Sequence, residues 1–339
     1  MNPEYVTNAR GEEVVKVSDV SALAKYYGVE CHNPELGVFD ISLARREIHP
    51  RLYGMYSIVF VNYTTPDWTY GKSRQKILCG SVLTMSPGQF LLPSPSSVSH
   101  HVWTGIYFTA SIIHGTHLGG IIHKYPFMEY MFNNNIFLND TERSIFMKVT
   151  KTLREETEKK GENINVVYVS MILEGLLDML QNAYERCSEH YRQQTDDMFA
   201  NFEHNLNRYL YNGESHGNLP QVSHFAKMSK LSMRHFGESF KDLTTITAHS
   251  YILNKMRDAS RQWLTEEKEA REVSTRLGFS TPPHFTRFFS LLTGERPSDY
   301  RRKRKKTLSH DMEEFSNDKE LQDSLEQVFT PDAPKSAIL

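Results

Sequence analysis

The chain has 339 residues, 39% of them hydrophobic and 24% charged, which is enough apolar material for about two to three domains and too much for a disordered polymer. Its first fifteen residues, MNPEYVTNARGEEVV, lack the apolar stretch of a secretory leader, and the most apolar run, Gly105 to Ile122, is broken by His114 and His117 before it could span a bilayer, so no membrane association is expected. Cys31, Cys79 and Cys187 are too widely spaced for a disulfide framework or a zinc-ligand pattern, which fits a reducing, cytoplasmic compartment, and the net charge of −2 excludes neither polyanion nor polycation partners.

The region from about Arg51 to Ala110 reads as short strands separated by turns. Tyr53 to Tyr63 is rich in aromatic and β-branched residues and ends at Thr64-Thr65-Pro66-Asp67; Lys76 to Met85 closes at Ser86-Pro87-Gly88-Gln89; Trp103 to Ala110 follows the Pro- and Ser-rich stretch Pro93 to Ser99. Such spacing favours a small barrel or sandwich over a parallel sheet. Neither GxGxxG nor GxxxxGK[ST] occurs, so no nucleotide cofactor is expected.

From Asn139 the period becomes helical. Asn139 and Glu142 form the pattern of a capping box, and Ile145, Val149 and Leu153 recur every four residues up to the breaker Lys160-Gly161. A second helix, with Val166, Val169, Leu173, Leu176, Leu177, Leu180 and Tyr184 on one face, runs to about His190. Such a hairpin either packs on its own barrel or pairs with its twin in a homodimer. A third helix carries Phe199, Phe202, Leu206 and Leu210, and Asn212 to Gly217 is linker-like.

The segment Asn218 to Lys306 holds 18 Lys and Arg against 9 Asp and Glu, for a charge of +9, with six of the positives in the run Arg301 to Lys306. Thr307 to Leu339 holds 2 against 8, for −6. A basic segment in an acidic chain points to a polyanion such as double-stranded DNA, because each phosphate contact releases condensed counterions.

This basic segment contains an internal repeat. Phe236, Phe240, Thr245 and Tyr251 return 49 residues later as Phe285, Phe289, Gly294 and Tyr300, while Ala226, Lys230 and Leu231 match Ser274, Gly278 and Phe279 at an offset of 48. Each unit reads as helix, tight turn, helix: Val222 to Met228, a turn at Ser229-Lys230-Leu231 and a helix capped by Ser232 through Lys241; then Arg271 to Leu277, a turn at Gly278 and a helix capped by Thr281 with Pro282 at its first position. The phenylalanines face inward. The outward faces offer Arg234, His235, Gly237 and Glu238 in one unit and Pro283, His284, Thr286 and Arg287 in the other. Of these, Arg234, His235, Glu238, Pro283, His284 and Arg287 are the candidate base contacts, since Arg pairs with guanine, Glu accepts from cytosine and apolar atoms meet a thymine methyl. Ser232, Lys241, Thr281, Arg301 and Arg302 are the candidate phosphate contacts.

Ala226 to Lys241 (AKMSKLSMRHFGESFK) and Gly278 to Arg301 (GFSTPPHFTRFFSLLTGERPSDYR) resemble the tandem helix-turn-helix domain of the AraC/XylS family of bacterial transcription regulators. The resemblance covers about 100 residues and implies seven helices, two readers in successive major-groove segments, and a joining helix from about Ala248 to Leu264. It departs from the family at Thr245, where a glycine is usual, and at Gly237 and Glu238, where polar or basic base contacts are common, which implies a weaker first reader. It also implies a cupin-like effector or dimerisation half, loosely matched by Trp103 to Met128, followed by a helical pair.

The resulting expectation is an α+β chain: residues 1–135, a cupin-like β-barrel or sandwich acting as sensor; 136–197, a helical hairpin for packing or dimerisation; 198–306, an all-α tandem helix-turn-helix domain; and 307–339, an acidic, disordered tail. The implied function is a sequence-specific transcription regulator, an activator by family analogy, with DNA, RNA polymerase, a small-molecule effector and a second copy of itself as partners. The competing reading is a metal-dependent cupin enzyme with a DNA-binding appendage, prompted by His100, His101, His114, His117 and His123 within 24 residues. The HxH motif of metal cupins is absent, and no catalytic residues, metal or cofactor are expected.

Overall fold

The computed structural model describes residues 2–7, 11, 13–44, 49–64, 69–70, 75–92, 100–129, 135–159, 164–188, 198–212, 218–244, 246–266 and 269–330. Among them, Glu4 to Phe137 supply two sheets. The first has six strands in the order β1 (Glu4–Thr7), β2 (Glu13–Val17), β4 (Arg51–Tyr53), β9 (Phe90–Leu92), β6 (Thr69–Tyr70) and β7 (Gln75–Lys76). The second has five, in the order β11 (Ile136–Phe137), β8 (Ser81–Met85), β5 (Tyr56–Thr64), β10 (His100–Phe108) and β3 (Leu36–Ala44).

Alternation along the central strands explains the layering. Trp103 and Tyr107 of β10, Val59 and Val61 of β5, and Phe39 and Ile41 of β3 all point into one core, shared with Val15, Leu52 and Phe90 of the facing sheet. Their neighbours Ile106 and Phe108, Ile58 and Phe60, and Leu36 and Val38 point into a second core on the other side. A sheet buried on both faces needs a cover on each. Helix α1 (Val20–Tyr27), capped by Asp19, which accepts from Ala22 N at 2.8 Å, and stopped by Gly28 at φ 72°, adds Val20, Leu23, Ala24 and Tyr27 to the first core.

The second core is closed by helices. After two short turns of helix, α2 (Ala110–Ile113) and α3 (His117–Ile121), come α4 (Asp140–Glu158) and α5 (Val166–Ser188). The capping box is formed as expected: Glu142 N donates to Asn139 Oδ1 at 2.9 Å, and Asn139 N donates to Glu142 Oε2 at 2.8 Å. Ile145, Phe146, Val149 and Leu153 then cover the five-stranded sheet, with Phe146 5.7 Å from Phe60, so the hairpin packs on its own chain. No helix of the described residues is long and apolar enough to cross a membrane.

Among the described residues the C-terminal half supplies helices and no strand: α6 (Met198–Tyr211), α7 (Val222–Met228), α8 (Met233–Thr244), α9 (Ala248–Thr265), α10 (Ala270–Leu277), α11 (Pro282–Thr293), α12 (Pro297–Asn317) and α13 (Lys319–Phe329). The first core runs on into it, Phe90 meeting Phe199 at 5.2 Å. Buried Glu203 of α6 accepts hydrogen bonds from Gln89 Nε2 at 2.9 Å and Tyr251 Oη at 2.8 Å, which ties the six-stranded sheet to α6 and α9.

The expectation of a disordered tail is corrected for residues 307–330; its remainder, 331–339, lies outside the described residues. Helix α12 continues to Asn317, and Asp318 caps α13 by accepting from Glu320 N and Leu321 N. Leu321 and Val328 are buried in the second core, with Leu308, Phe315, Leu325 and Phe329 packed against it. The physical reason is amphipathicity: Glu313, Glu314, Glu320, Asp323 and Glu326 are exposed, while apolar residues recur at helical spacing and meet α4 and α5. Asp311 is itself buried, its Oδ2 accepting from Val166 N at 2.9 Å at the start of α5, where a helix favours negative charge.

Candidate nucleic-acid interface

The two repeat units match in their hydrogen bonding as well as their sequence. In the first turn Lys230 N donates to Lys227 O and Leu231 N to Ala226 O, both at 3.0 Å; in the second, Gly278 N donates to Thr275 O at 3.0 Å and Phe279 N to Ser274 O at 2.9 Å. Both turns place one residue in the left-handed region, Lys230 at φ 55° and Gly278 at φ 86°. Glycine adopts that conformation without cost, whereas lysine gives up roughly 1 kcal/mol. At 278 the absence of a side chain matters twice, because a Cβ there would run into the backbone of Asn218 and Leu219.

The repeat extends further than the aromatic positions. Thr244 Oγ1 donates to Phe240 O at 2.9 Å and to Ile246 O at 3.0 Å; Thr293 Oγ1 donates to Phe289 O at 2.8 Å and Glu295 O at 3.2 Å. This Thr pair, 49 residues apart, is readable in the sequence by extending the same offset one position. The turn after α11 uses Gly294 at φ 79°, while Thr245, its counterpart, lies outside the described residues, as does any strain there.

Inside each unit the phenylalanines form the expected core. Phe236, Phe240, Phe285 and Phe289 are fully buried, and the repeated contacts Phe240 to Tyr251 at 5.7 Å and Phe289 to Tyr300 at 5.6 Å clamp α8 to α9 and α11 to α12. The expected linker helix is α9, which ends one residue later than expected, at Thr265, and has Thr247 as its cap.

The outward faces form the candidate reading surface. Arg234, His235, Glu238 and Lys241 on α8, and Pro283, His284 and Arg287 on α11, are exposed; Thr286 is half-buried. Arg234 Nε donates to Glu238 Oε1 at 2.8 Å, an i,i+4 pair that offsets one candidate base contact with another. Arg287 makes no such pair on its helix face, and His284 Nδ1 lies 3.1 Å from Ser280 Oγ. Ser232 caps α8 through His235 N at 3.2 Å. Thr281 occupies the cap position of α11, yet its side chain makes no cap hydrogen bond; Pro283 lacks the N–H at the second helical position, and His284 N donates instead to the backbone Thr281 O at 3.1 Å. Beside the second unit, Arg271, Arg301, Arg302 and Lys305 line an open groove of about 450 Å³ along the starts of α10 and α12. Arg302 also reaches Asp299 at 2.9 Å.

The histidines that prompted a metal reading do not converge where they are described. His114 is buried, and desolvation holds its imidazole down at about 3; His117 Nδ1 meets Glu174 at 2.7 Å on the surface; His123 stacks on Tyr211 at 4.0 Å, with burial lowering it to about 4. The side chains of His100 and His101 lie outside the described residues. Among the described residues, the donor cluster tight enough for an ion is His310, Asp311 and Glu314, within 4.8 Å of one another. Two of the three already accept hydrogen bonds at the start of α5, Asp311 from Val166 N and Glu314 from Asn165 Nδ2 at 3.0 Å.

Residues 225–303 match the family model described as a helix-turn-helix domain. No curated protein matches the chain. Among solved structures, ToxT from Vibrio cholerae O395 is similar at 10% identity over 78% of this chain and 96% of that one, with a TM-score of 0.30. Wild-type ToxT of Vibrio cholerae with an unsaturated fatty acid bound is similar at 11% identity over 80% and 96%, also with a TM-score of 0.30. Residues 225–303 of this chain are thus a helix-turn-helix domain.

Proposed function

We propose that the protein is a sequence-specific transcription activator that reads two successive major-groove segments with α8 and α11. The observation that carries this reading is the repeated turn, which presents two solvent-facing helices built to one plan in a segment of charge +9. Arg234, His235 and Glu238, with Pro283, His284 and Arg287, contact bases. Ser232, Lys241, Thr281, Arg301 and Arg302, joined by Arg271 and Lys305 in the basic groove, hold phosphates. The Arg234–Glu238 pair lowers the net positive charge of the first reader, so the second carries more of the affinity.

The activator sense, and with it RNA polymerase as a partner, follow from the resemblance to the AraC/XylS family. The N-terminal sandwich is the regulatory half, working in the cytoplasm as a homodimer. A cavity of about 360 Å³ between β2, β4 and α9, lined by Lys16, Leu52, Tyr53, Tyr251, Lys255 and Arg257, is of the size that takes a small-molecule effector. A ligand there would touch the sandwich and the helix that joins the two readers at once.

Selection of bound duplexes from a random pool tests the function. The expected product is a motif of two elements spaced by about 10 base pairs, one helical turn. Recovery of no common motif would end the proposal.

A further inference from the structure

The reader face of α11 does not stop at Arg287. One turn further on, and seven residues beyond His284, Leu291 lies on the same side of the helix, opposite the buried Phe285 and Phe289. Its side chain is 83% exposed, the highest value for any large apolar residue among those described. Single exposed apolar residues are ordinary on protein surfaces. This one is set apart by its place: it continues the line of His284 and Arg287 on the helix that the proposed function puts into the major groove. The corresponding position in the first unit, 49 residues earlier, is Asp242, so the two readers differ here in kind.

We propose that Leu291 is a specificity-determining residue that packs against the C5-methyl group of a thymine in the half-site read by α11. The thymine methyl is the one apolar feature a base pair offers in the major groove, and a branched aliphatic side chain fits it without needing a hydrogen-bond partner. The surroundings favour DNA over a protein partner. One turn before Leu291 on the same helix stands the exposed cation Arg287, and the flanking apolar residues Phe288 and Leu292 are half-buried, so among the described residues of α11 Leu291 is a single exposed large apolar side chain and not part of a broad apolar patch on which a protein could dock. Asp242 in the same place on α8 would repel phosphate and offers a thymine methyl nothing, which confines this contact to the second half-site.

The inference rests on the DNA-reading function, and its test separates the two. The full-length protein is titrated against a duplex recovered by selection, and then against a series in which each thymine in turn is replaced by deoxyuridine, which deletes only the methyl. Wild-type protein is expected to bind one or two of these duplexes roughly 3- to 5-fold more weakly, the worth of about one buried methyl group. Leu291→Ala is expected to bind the all-thymine duplex more weakly by at least that factor and to be indifferent to deoxyuridine at those same positions, while Leu291→Met retains the response. The substitution is at an exposed site, and an unchanged melting temperature shows that the variant is folded. If wild type and Leu291→Ala respond alike to every deoxyuridine, the inference is overturned. Undiminished DNA binding by Leu291→Ala together with lost transcriptional activation would likewise overturn it and assign the residue to a protein contact. If selection recovers no motif at all, the DNA reading itself falls and takes this inference with it.

Discussion

Asp311 offers the sharpest test of how the C-terminal helices hold the molecule together. Its carboxylate, 6% exposed, accepts from Val166 N at 2.9 Å, and its backbone carbonyl accepts from Asn165 Nδ2 at 2.9 Å. Asp311→Ala removes a hydrogen bond to a charged acceptor, worth about 1.5 to 3 kcal/mol, and a favourable charge at the start of the 23-residue α5, worth about 0.3 to 1 kcal/mol more. The net loss expected in urea or thermal denaturation is therefore about 2 to 4 kcal/mol. Asp311→Asn keeps an acceptor and loses only the charge, so its cost should be smaller, about 1 kcal/mol. Leu321→Ala provides an independent measure of the same docking, since a buried aliphatic side chain truncated to Ala typically costs about 2 to 5 kcal/mol. Refutation would be an Asp311→Ala midpoint indistinguishable from wild type together with an intact Leu321 response, for then the carboxylate's desolvation cancels its bond and the acidic residues contribute nothing to docking.

Arg287→Ala should weaken binding by about 1 to 3 kcal/mol at one base pair of the selected site and far less on random duplexes, measured by anisotropy with single-base variants; equal losses on both would deny it a base contact. Gly278→Ala forces a Cβ into the Asn218 and Leu219 backbone at φ 86° and should cost more than about 1 kcal/mol in melting experiments, whereas Lys230→Gly, which relieves the same conformation in the first turn, should stabilise. His114 is held at about 3 by burial, below its unfolded value of 6.5, so the unfolded chain binds this proton more readily. Its contribution is complete above pH 6.5 and is lost as pH falls toward 3, and His114→Leu should flatten the acid limb of a stability profile between those values; an unchanged slope would show that other groups govern acid unfolding.

Local signals in the sequence suffice for the reading units. Gly278 announces a left-handed turn, Phe285 and Phe289 a buried stripe, and Asn139 with Glu142 a helix start, because each depends on residues within about four positions of one another. The tail is different: weighed as composition, its charge suggests disorder, although Leu308 and Phe315, then Leu321, Leu325 and Val328, already carry a helical period. Proline at 282 favours a helix start, while proline at 283 removes one of the two N–H groups that the Thr281 side chain could cap, a consequence the sequence contains but the motif hides. The outward face of α11 ends at Arg287 only if the motif is taken as its boundary; the same periodicity runs on to Leu291. No local pattern gives the contacts between halves. Gln262 Oε1 accepts from Gly115 N at 2.7 Å across 147 residues, and Arg304 donates to the carbonyls of His114 and Ile112 across about 190. A polar residue on a helix looks the same in sequence whether it meets water or a distant carbonyl.

Under the proposed function, those contacts bear on how an effector would influence DNA binding. Helix α9 joins the two units, and it is held at both ends by the N-terminal half: Tyr251 through Glu203 and Gln89 near its start, Gln262 through Gly115 and Thr116 near its finish. Helix α12 fixes the second unit again, with Arg304 on the α2 segment and Asp311 on α5. The two readers therefore do not swing as beads on a linker. Their relative placement is set by the sandwich beneath them, and the cavity beside Tyr251 and Lys255 adjoins the first of these ties. A ligand alters DNA affinity only through a difference in its own affinity for two arrangements of these elements. The first tie is where the proposed effector would have such a difference to exploit, because a group inserted next to Tyr251 and Lys255 competes directly for the buried carboxylate of Glu203, whereas the second unit is held independently by α12 and α13 in the second core.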